Sequence, residues 1–266
     1  MRVTDAFRRA PIAASVRAAR FTLSELSGRD FSFFTPDGTR LTTMPNNFSS
    51  FAMCVAGARD PQIWRFVERH LQPGEVFVDA GANIGAYTIP AARLVGPTGR
   101  VISFEAHPHT FRFLQTNIDQ SGLSWAAPLN LALGEVPGEI EIVFADSNPG
   151  ETHVASSSDG RGVSVPMQTL DAALAEQGVI AVSYLKIDVE GFELPVLRGA
   201  LGTIASSPRI AVQTEMEARH AARYGYRLEA IGDLLQGAGL RPHHLDATGA
   251  PRALEGALRG DVIWLR

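Results

Sequence analysis

The sequence predicts an α/β fold in which a mostly parallel sheet carries helices on both faces. Three observations support this. Strand and helix patterns alternate from residue 61 onward, as a chain of βαβ units requires. The apolar run VFVD at 76–79 passes straight into a glycine turn holding Gly81 and Gly85. The strand patterns VISFE and AVQTE then end on the acids Glu105 and Glu215, and YLKID on Asp188. Open α/β sheets bind ligands at their carboxyl ends, so acids there point to a site.

Taken in order, Pro73 and Gly74 open the strand VFVDA, and residues 86–95 read as the first helix, closed by the turn GPTG. VISFE is the next strand. The helix after it places Phe111, Leu114 and Ile118 on one face and stops at Gly122. A short strand is expected near 128–133. GEIEIVFA alternates apolar and polar residues, the pattern of a half-exposed antiparallel strand. Residues 146–162 are rich in Ser, Gly and Asp and read as a surface loop beside the site. VSVPMQTLDAAL reads as a strand leading into a helix capped near Thr169, and SYLKIDVEG as a core strand with a polar end. ELPVLRGAL reads as one helix with Leu194, Leu197 and Leu201 in register, and RIAVQTEM as a strand. A helix through Leu228, Ile231, Leu234 and Leu235 closes at Gly237–Gly239, and LRPHHLD and DVIWLR form a late antiparallel pair.

At 266 residues the chain suits one large domain. We divide it into a helical or extended segment, 1–60, placed to cap the acceptor side, and a catalytic domain, 61–266. The first 30 residues hold six arginines against three acids, with Phe7, Ile12, Val16 and Leu23 at helical spacing. That is an amphipathic helix without the apolar run of a secretory signal. We read it as packed on the domain, with a membrane-surface or partner helix as the alternative. No apolar run reaches the length of a membrane span. A net charge of −4 gives no general reason to expect nucleic acid, and the single cysteine, Cys54, fits a reducing compartment such as the cytoplasm. Of 24 basic residues only Lys186 is a lysine.

The glycine turn separates two cofactor classes. A dinucleotide fingerprint needs a second glycine where the backbone approaches a pyrophosphate, and here Asn83 stands between Gly81 and Gly85. S-adenosylmethionine has no pyrophosphate. Its sulfonium and ammonium suit an acid at the head of the turn, Asp79, while Glu105, 26 residues on, can accept from both ribose hydroxyls.

A second constellation lies in YLKIDVEGFE. Period-two geometry projects Lys186, Asp188 and Glu190 to one side of an emerging strand, with a turn at 189–191 as the alternative path. Charges on a buried strand are costly unless they pair or bind something. A carboxylate there could take a proton from an acceptor hydroxyl, and Lys186 could tune the acceptor or hold Asp188 ionised. Glu215 is a fourth candidate for the same cleft.

Together DAGANIG, FEAHP and LKIDVEGFELPVLRGA resemble the FkbM family of S-adenosylmethionine-dependent methyltransferases, from about residue 61 to the C-terminus. The resemblance implies a Rossmann-like class I methyltransferase with a mostly parallel seven-stranded sheet and a late antiparallel strand. It implies O-methylation of a hydroxyl on a small-molecule, sugar, glycan or polyketide-type acceptor, in biosynthesis. By the same likeness Asp79, Gly81, Ala82, Asn83, Gly85, Glu105 and Ala132 hold the donor, and Lys186, Asp188, Glu190 and Glu215 line the acceptor side. A divalent metal is conceivable where acids from two strand ends meet, but no His, Asp and Glu set has diagnostic spacing, so none is favoured. The competing readings are a nicotinamide-dependent oxidoreductase, a non-catalytic nucleoside-binding protein on the same fold, and RNA methylation. Against the last stands the acidic balance. His107 and His109 beside the turn read as packing or solvated residues, and PNNFSSF at 45–51 offers sugar-like contacts that also make an ordinary loop.

Overall fold

The computed structural model of the chain describes residues 3–57, 60–145, 148–155 and 162–266. The first portion holds α1 (Val3–Arg9), α2 (Pro11–Glu25), the hairpin β1 (Phe31–Phe34) and β2 (Arg40–Thr43), and α3 (Phe48–Ala56). Next come α4 (Pro61–His70), β3 (Val76–Ala80), α5 (Thr88–Val95), β4 (Arg100–Phe104), α6 (Pro108–Gln120) and β5 (Ala126–Leu129). A β insertion follows, made of β6 (Ala132–Leu133), β7 (Gly138–Ala145), β8 (Asn148–Val154) and β9 (Val163–Gln168). The chain continues through α7 (Leu170–Glu176), β10 (Tyr184–Ile187), α8 (Glu193–Arg198), α9 (Leu201–Ser206) and β11 (Ala211–Met216). It ends with α10 (Ala218–Arg223), α11 (Leu228–Gly237), β12 (Arg241–Leu245), β13 (Pro251–Ala253) and β14 (Gly260–Leu265).

The main sheet has the order β13-β12-β14-β11-β10-β3-β4-β5. Strands β5, β4, β3, β10 and β11 run parallel, and β14 enters antiparallel between β11 and β12. The reversal of strand order falls between β3 and β10, so both strand ends open on one crevice. This is the Rossmann-like class I methyltransferase arrangement, with one more strand than the seven expected because β13 extends the edge.

Side chains alternate across the central strands. Phe77 and Tyr184 face one core with Phe66, Ile89 and Leu114. Val78, Leu185 and Ile187 face the other with Leu174, Leu197, Ile204 and Leu235. Helices therefore cover both faces, each burying an apolar stripe. Among the described residues no helix is long and apolar enough to cross a membrane.

Several local expectations change. The first helix starts at Thr88 rather than 86, because the glycine turn continues to Tyr87. ELPVLRGAL is two short helices, α8 and α9, broken at Gly199–Ala200, and Leu201 is left partly exposed. Residues 148–154, expected as loop, form β8, a hairpin partner of β7; residues 146–147 and 156–161 of that stretch lie outside the described set.

The expected N-terminal helix is two, α1 and α2; Phe7 of α1 packs inward as expected, but on α2 the outer and inner faces are exchanged. Ala14 and Phe21 are buried, whereas Ile12, Val16 and Leu23 are exposed. Phe21 wins because three aromatic rings, Phe31, Phe33 and Phe51, meet it edge-on at 4.9, 5.4 and 5.5 Å. The β1–β2 hairpin is tied to the main domain by Asn117. Its Oδ1 accepts from Thr42 N–H at 2.7 Å, and its Nδ2 donates to the carbonyls of Thr42 and Ile84 at 3.1 and 2.8 Å.

Candidate active site

An organised crevice lies at the carboxyl ends of β3, β4 and β10. Its wall includes Asp79, Gly81, Ala82, Asn83, Glu105, Ala132, Lys186, Asp188 and Glu190. Gly85 and Glu215, expected on that wall, are not part of it. Gly85 instead turns the chain behind the loop, at φ 96° against Leu114 and Ile89. Glu215 stands one strand further along.

The loop after β3 spends its backbone donors internally. The amides of Gly81 and Ala82 both donate to the Phe104 carbonyl, at 3.0 and 2.9 Å, and the amide of Gly85 donates to Ala82 at 2.9 Å. The Asn83 amide donates to Glu105 Oε2 at 2.9 Å, and the His107 amide to Oε1 at 3.0 Å. A pyrophosphate would need such amides for itself. Buried Glu105 is instead an acceptor with a lone pair left on each oxygen, a match for a ribose diol. Burial pushes its carboxyl up to about 7, opposed by the two amides.

Asp79 lies directly opposite Lys186 in the register between β3 and β10. Both point to the same face, and Lys186 Nζ sits 3.5 Å from Asp79 Oδ1 and 3.2 Å from Asp188 Oδ2, over the Tyr87 ring. Burial alone would lower the Lys186 pKa, but Asp188 and Asp79 outweigh it and hold the ammonium above the ordinary lysine range. Asp79 also accepts from Thr88 Oγ1 at 2.7 Å. Asp79 and Lys186 are thus a buried pair at the base of the crevice, with Asp188 reaching outward.

Strand β10 stops at Ile187, and Asp188 keeps to the side of Lys186. Beyond it the chain turns at 189–191, and Glu190 adopts φ 53°. Glu193 organises that turn: its Oε1 accepts from the amides of Val189 and Gly191 at 3.2 and 3.1 Å. Tyr226 adds a hydroxyl bond to the Gly191 carbonyl at 2.7 Å. The turn brings Glu190 Oε2 within 3.3 Å of His220 Nδ1, and Glu215 Oε2 within 3.8 Å. Each of these three offers a ligand atom within 4.8 Å of the others, a spacing a divalent cation could bridge and that the ion pairs by themselves also account for. Burial, then the charges of Asp188 and Glu190, push the Glu215 carboxyl up to about 9.

Sequence reasoning missed His220, Tyr87, Thr88 and Glu193. His220 has no motif signal; it reaches the site only because α10 begins two residues after β11 ends. Ser49 and Met53 of α3, and Thr152, His153 and Val154 of β8, roof the crevice. In PNNFSSF, Asn47 is buried as the N-cap of α3, accepting from Ser50 N–H at 2.9 Å. His107 is buried against the Phe144 ring at 3.9 Å, and its Nδ1 accepts from the His109 amide. Burial lowers its pKa to about 4.

The profile of the methyltransferase FkbM domain matches residues 79–242, more than half of the chain and the whole span from the glycine loop to β12. The chain belongs to the FkbM methyltransferase family. Its relatives include "Methyltransferase 1" of Beauveria bassiana, 30% identical over 142 residues, covering 46% of this chain and 57% of that protein. The hexuronic acid methyltransferase AglP of Haloferax volcanii is 27% identical over 156 residues, covering 58% of this chain and 62% of that protein. The match thus spans less than two thirds of either relative. Among solved structures, an O-methyltransferase from Bacillus cereus in complex with SAH aligns with a TM-score of 0.46 at 12% identity, covering 82% of this chain and 86% of that one. A SAM-dependent O-methyltransferase from Thermotoga maritima aligns with a TM-score of 0.44 at 12% identity, covering 89% and 92%. In this FkbM chain the matched span contains Asp79, Glu105, Lys186, Asp188, Glu190 and Glu215.

Proposed function

We propose that this FkbM chain is an S-adenosylmethionine-dependent O-methyltransferase acting on a hydroxyl of a sugar, glycan or polyketide-type small molecule. The observation that carries the reading is the crevice at the β3–β10 reversal. There a buried carboxylate with open lone pairs faces the nucleoside position, and loop amides are already engaged. Asp79, Asp188 and Glu190 give the crevice a negative lining that suits a sulfonium and an ammonium. Gly81, Ala82, Asn83 and Ala132 form the wall against which the donor lies, with Gly85 shaping the turn.

The donor, when bound, supplies a methyl group already activated for transfer. The chain's own residues orient the acceptor and take its proton. Asp188 is the half-exposed carboxylate on the crevice wall, aimed by its ion pair with Lys186. It accepts the proton of the hydroxyl. Glu190, braced by His220, orients the same group, and Glu215 stands behind them. Orientation contributes up to about 7–11 kcal/mol and a general base about 10²–10⁴-fold. The roof residues Ser49, Met53 and Thr152 face the acceptor position, with residues 1–60 acting as its cap. Likeness to a hexuronic acid methyltransferase leads us to rank sugars first. No metal is required in this reading, so turnover is expected to survive a chelator.

The test is a titration of S-adenosylmethionine against NAD, followed by a search of hydroxylated extracts for a gain of about 14 Da with donor and enzyme. Preference for NAD, or donor binding with no methylated product in any extract, overturns the proposal in favour of an oxidoreductase or a non-catalytic nucleoside-binding protein.

A further inference from the structure

Helix α2 has a second apolar face that none of the described residues covers. Ile12, Val16, Ala19, Leu23 and its C-cap Leu26 recur at helical spacing, on the side opposite buried Ala14 and Phe21. Their exposure is high: 81% for Ile12, 67% for Leu23 and 78% for Leu26. Isolated exposed apolar residues are ordinary, but five on one helical stripe form a patch.

The charge around the stripe is one-sided. Arg20 flanks it, and Arg8 and Arg9 precede its first turn, all exposed. Of the acids nearby, Glu25 lies toward the body of the protein, where it accepts the Asn46 amide at 3.0 Å, while Asp5 pairs with Arg8 at 3.8 Å and offsets part of its charge. Every exposed position of α2 itself is apolar, small, hydroxylated or arginine. This basic region belongs to a chain whose net charge is −4.

We infer that the outer face of α2 docks on an anionic lipid surface. A convex apolar ridge with flanking arginines fits shallow burial at a headgroup boundary and attraction to anionic lipid. A second copy of the chain fits less well, because an isologous contact through this face would set the arginines of the two copies against each other. The inner face of α2 packs on α3, which lends Ser49 and Met53 to the crevice roof. The docking inference stands apart from the methyl-transfer reading and needs no catalysis.

The test is sedimentation of the full chain with phosphatidylglycerol vesicles and with phosphatidylcholine vesicles. Binding to the anionic vesicles only, weakening with salt, is expected. Ile12→Asp with Leu23→Asp should abolish it, and Arg8→Gln with Arg9→Gln and Arg20→Gln should weaken it on the order of 100-fold at low salt. Both sets alter exposed side chains, so circular dichroism and the thermal midpoint should be unchanged. The arginine set reads the interface separately if the aspartate set fails to fold. No binding to phosphatidylglycerol, binding that both variants retain, or a dimer in solution that Ile12→Asp with Leu23→Asp dissociates would each overturn the inference.

Discussion

In the proposed donor site Glu105 carries two demands at once: it must be buried to meet a nucleoside, and charged to accept from it. Burial raises its carboxyl to about 7 from an ordinary 4.5. A carboxyl raised on folding binds more protons in the folded chain than in the unfolded one between those values. Stability therefore falls as pH rises through that window and is level above it, by on the order of 3 kcal/mol at most. A ribose diol favours the ionised form. Donor affinity should then rise about tenfold per pH unit up to about pH 7 and flatten above it. Calorimetric Kd values across that range check this, and Glu105→Gln should both weaken binding and remove the slope. Glu105 was legible from its position after the second strand; its raised pKa was not, because the burial that raises it, and the amides of residues 83 and 107 that oppose it, arise only on folding. Lys186 shows the same limit. Its rarity marked the position, but only the strand register sets it opposite Asp79. Lys186→Met would leave Asp79 buried without its ion partner and should cost about 3–5 kcal/mol, read as a lowered thermal midpoint. Asp188→Asn should instead lower kcat by about 10²–10⁴-fold with donor Kd nearly unchanged.

The elements meet where the glycine loop after β3 touches the turn after β10. A Cβ on Gly81 would lie 1.9 Å from the Asp188 carbonyl oxygen, and its φ of 81° disfavours any side chain. The glycine loop and the turn after β10, our proposed donor and acceptor sides, are therefore packed backbone to backbone. From the sequence Gly81 reads as a donor residue only, since no spacing rule reports a contact between segments 107 residues apart. Gly81→Ala should raise the donor Kd and lower kcat together, in steady-state and binding measurements on the same preparation. A loss of donor affinity with kcat intact would show the two segments to be independent. The period-two reading of β10 holds for Lys186 and Asp188, and beyond them the chain takes the alternative path, a turn at 189–191. Glu193 caps two amides of the turn, a bond pattern invisible in the alternation of Lys186, Asp188 and Glu190.

Across the whole molecule, the parallel core was readable because strand, turn and helix signals recur in order, and buried strands leave strong apolar runs. The eighth strand was not, since β13 is three exposed residues at a sheet edge. The β insertion was half readable: β7 showed its alternation, while β8 is composed like a loop and becomes a strand by pairing with β7. α3 precedes β3 in the chain and that hairpin is inserted between β5 and β10, yet both reach the same roof, α3 packing on β8. The donor contacts we propose lie below, on β3, β4 and the glycine loop. The two specificities should therefore separate. Met53→Ala removes apolar surface from the roof without touching Glu105 or the loop amides, and Thr152→Val removes a hydroxyl. Each is expected to raise acceptor KM, by about 10–200-fold where a methylene-sized contact is lost, while donor Kd stays level. Measuring both constants for both variants decides it, and a parallel rise in donor Kd would mean that the roof and the donor floor form one site.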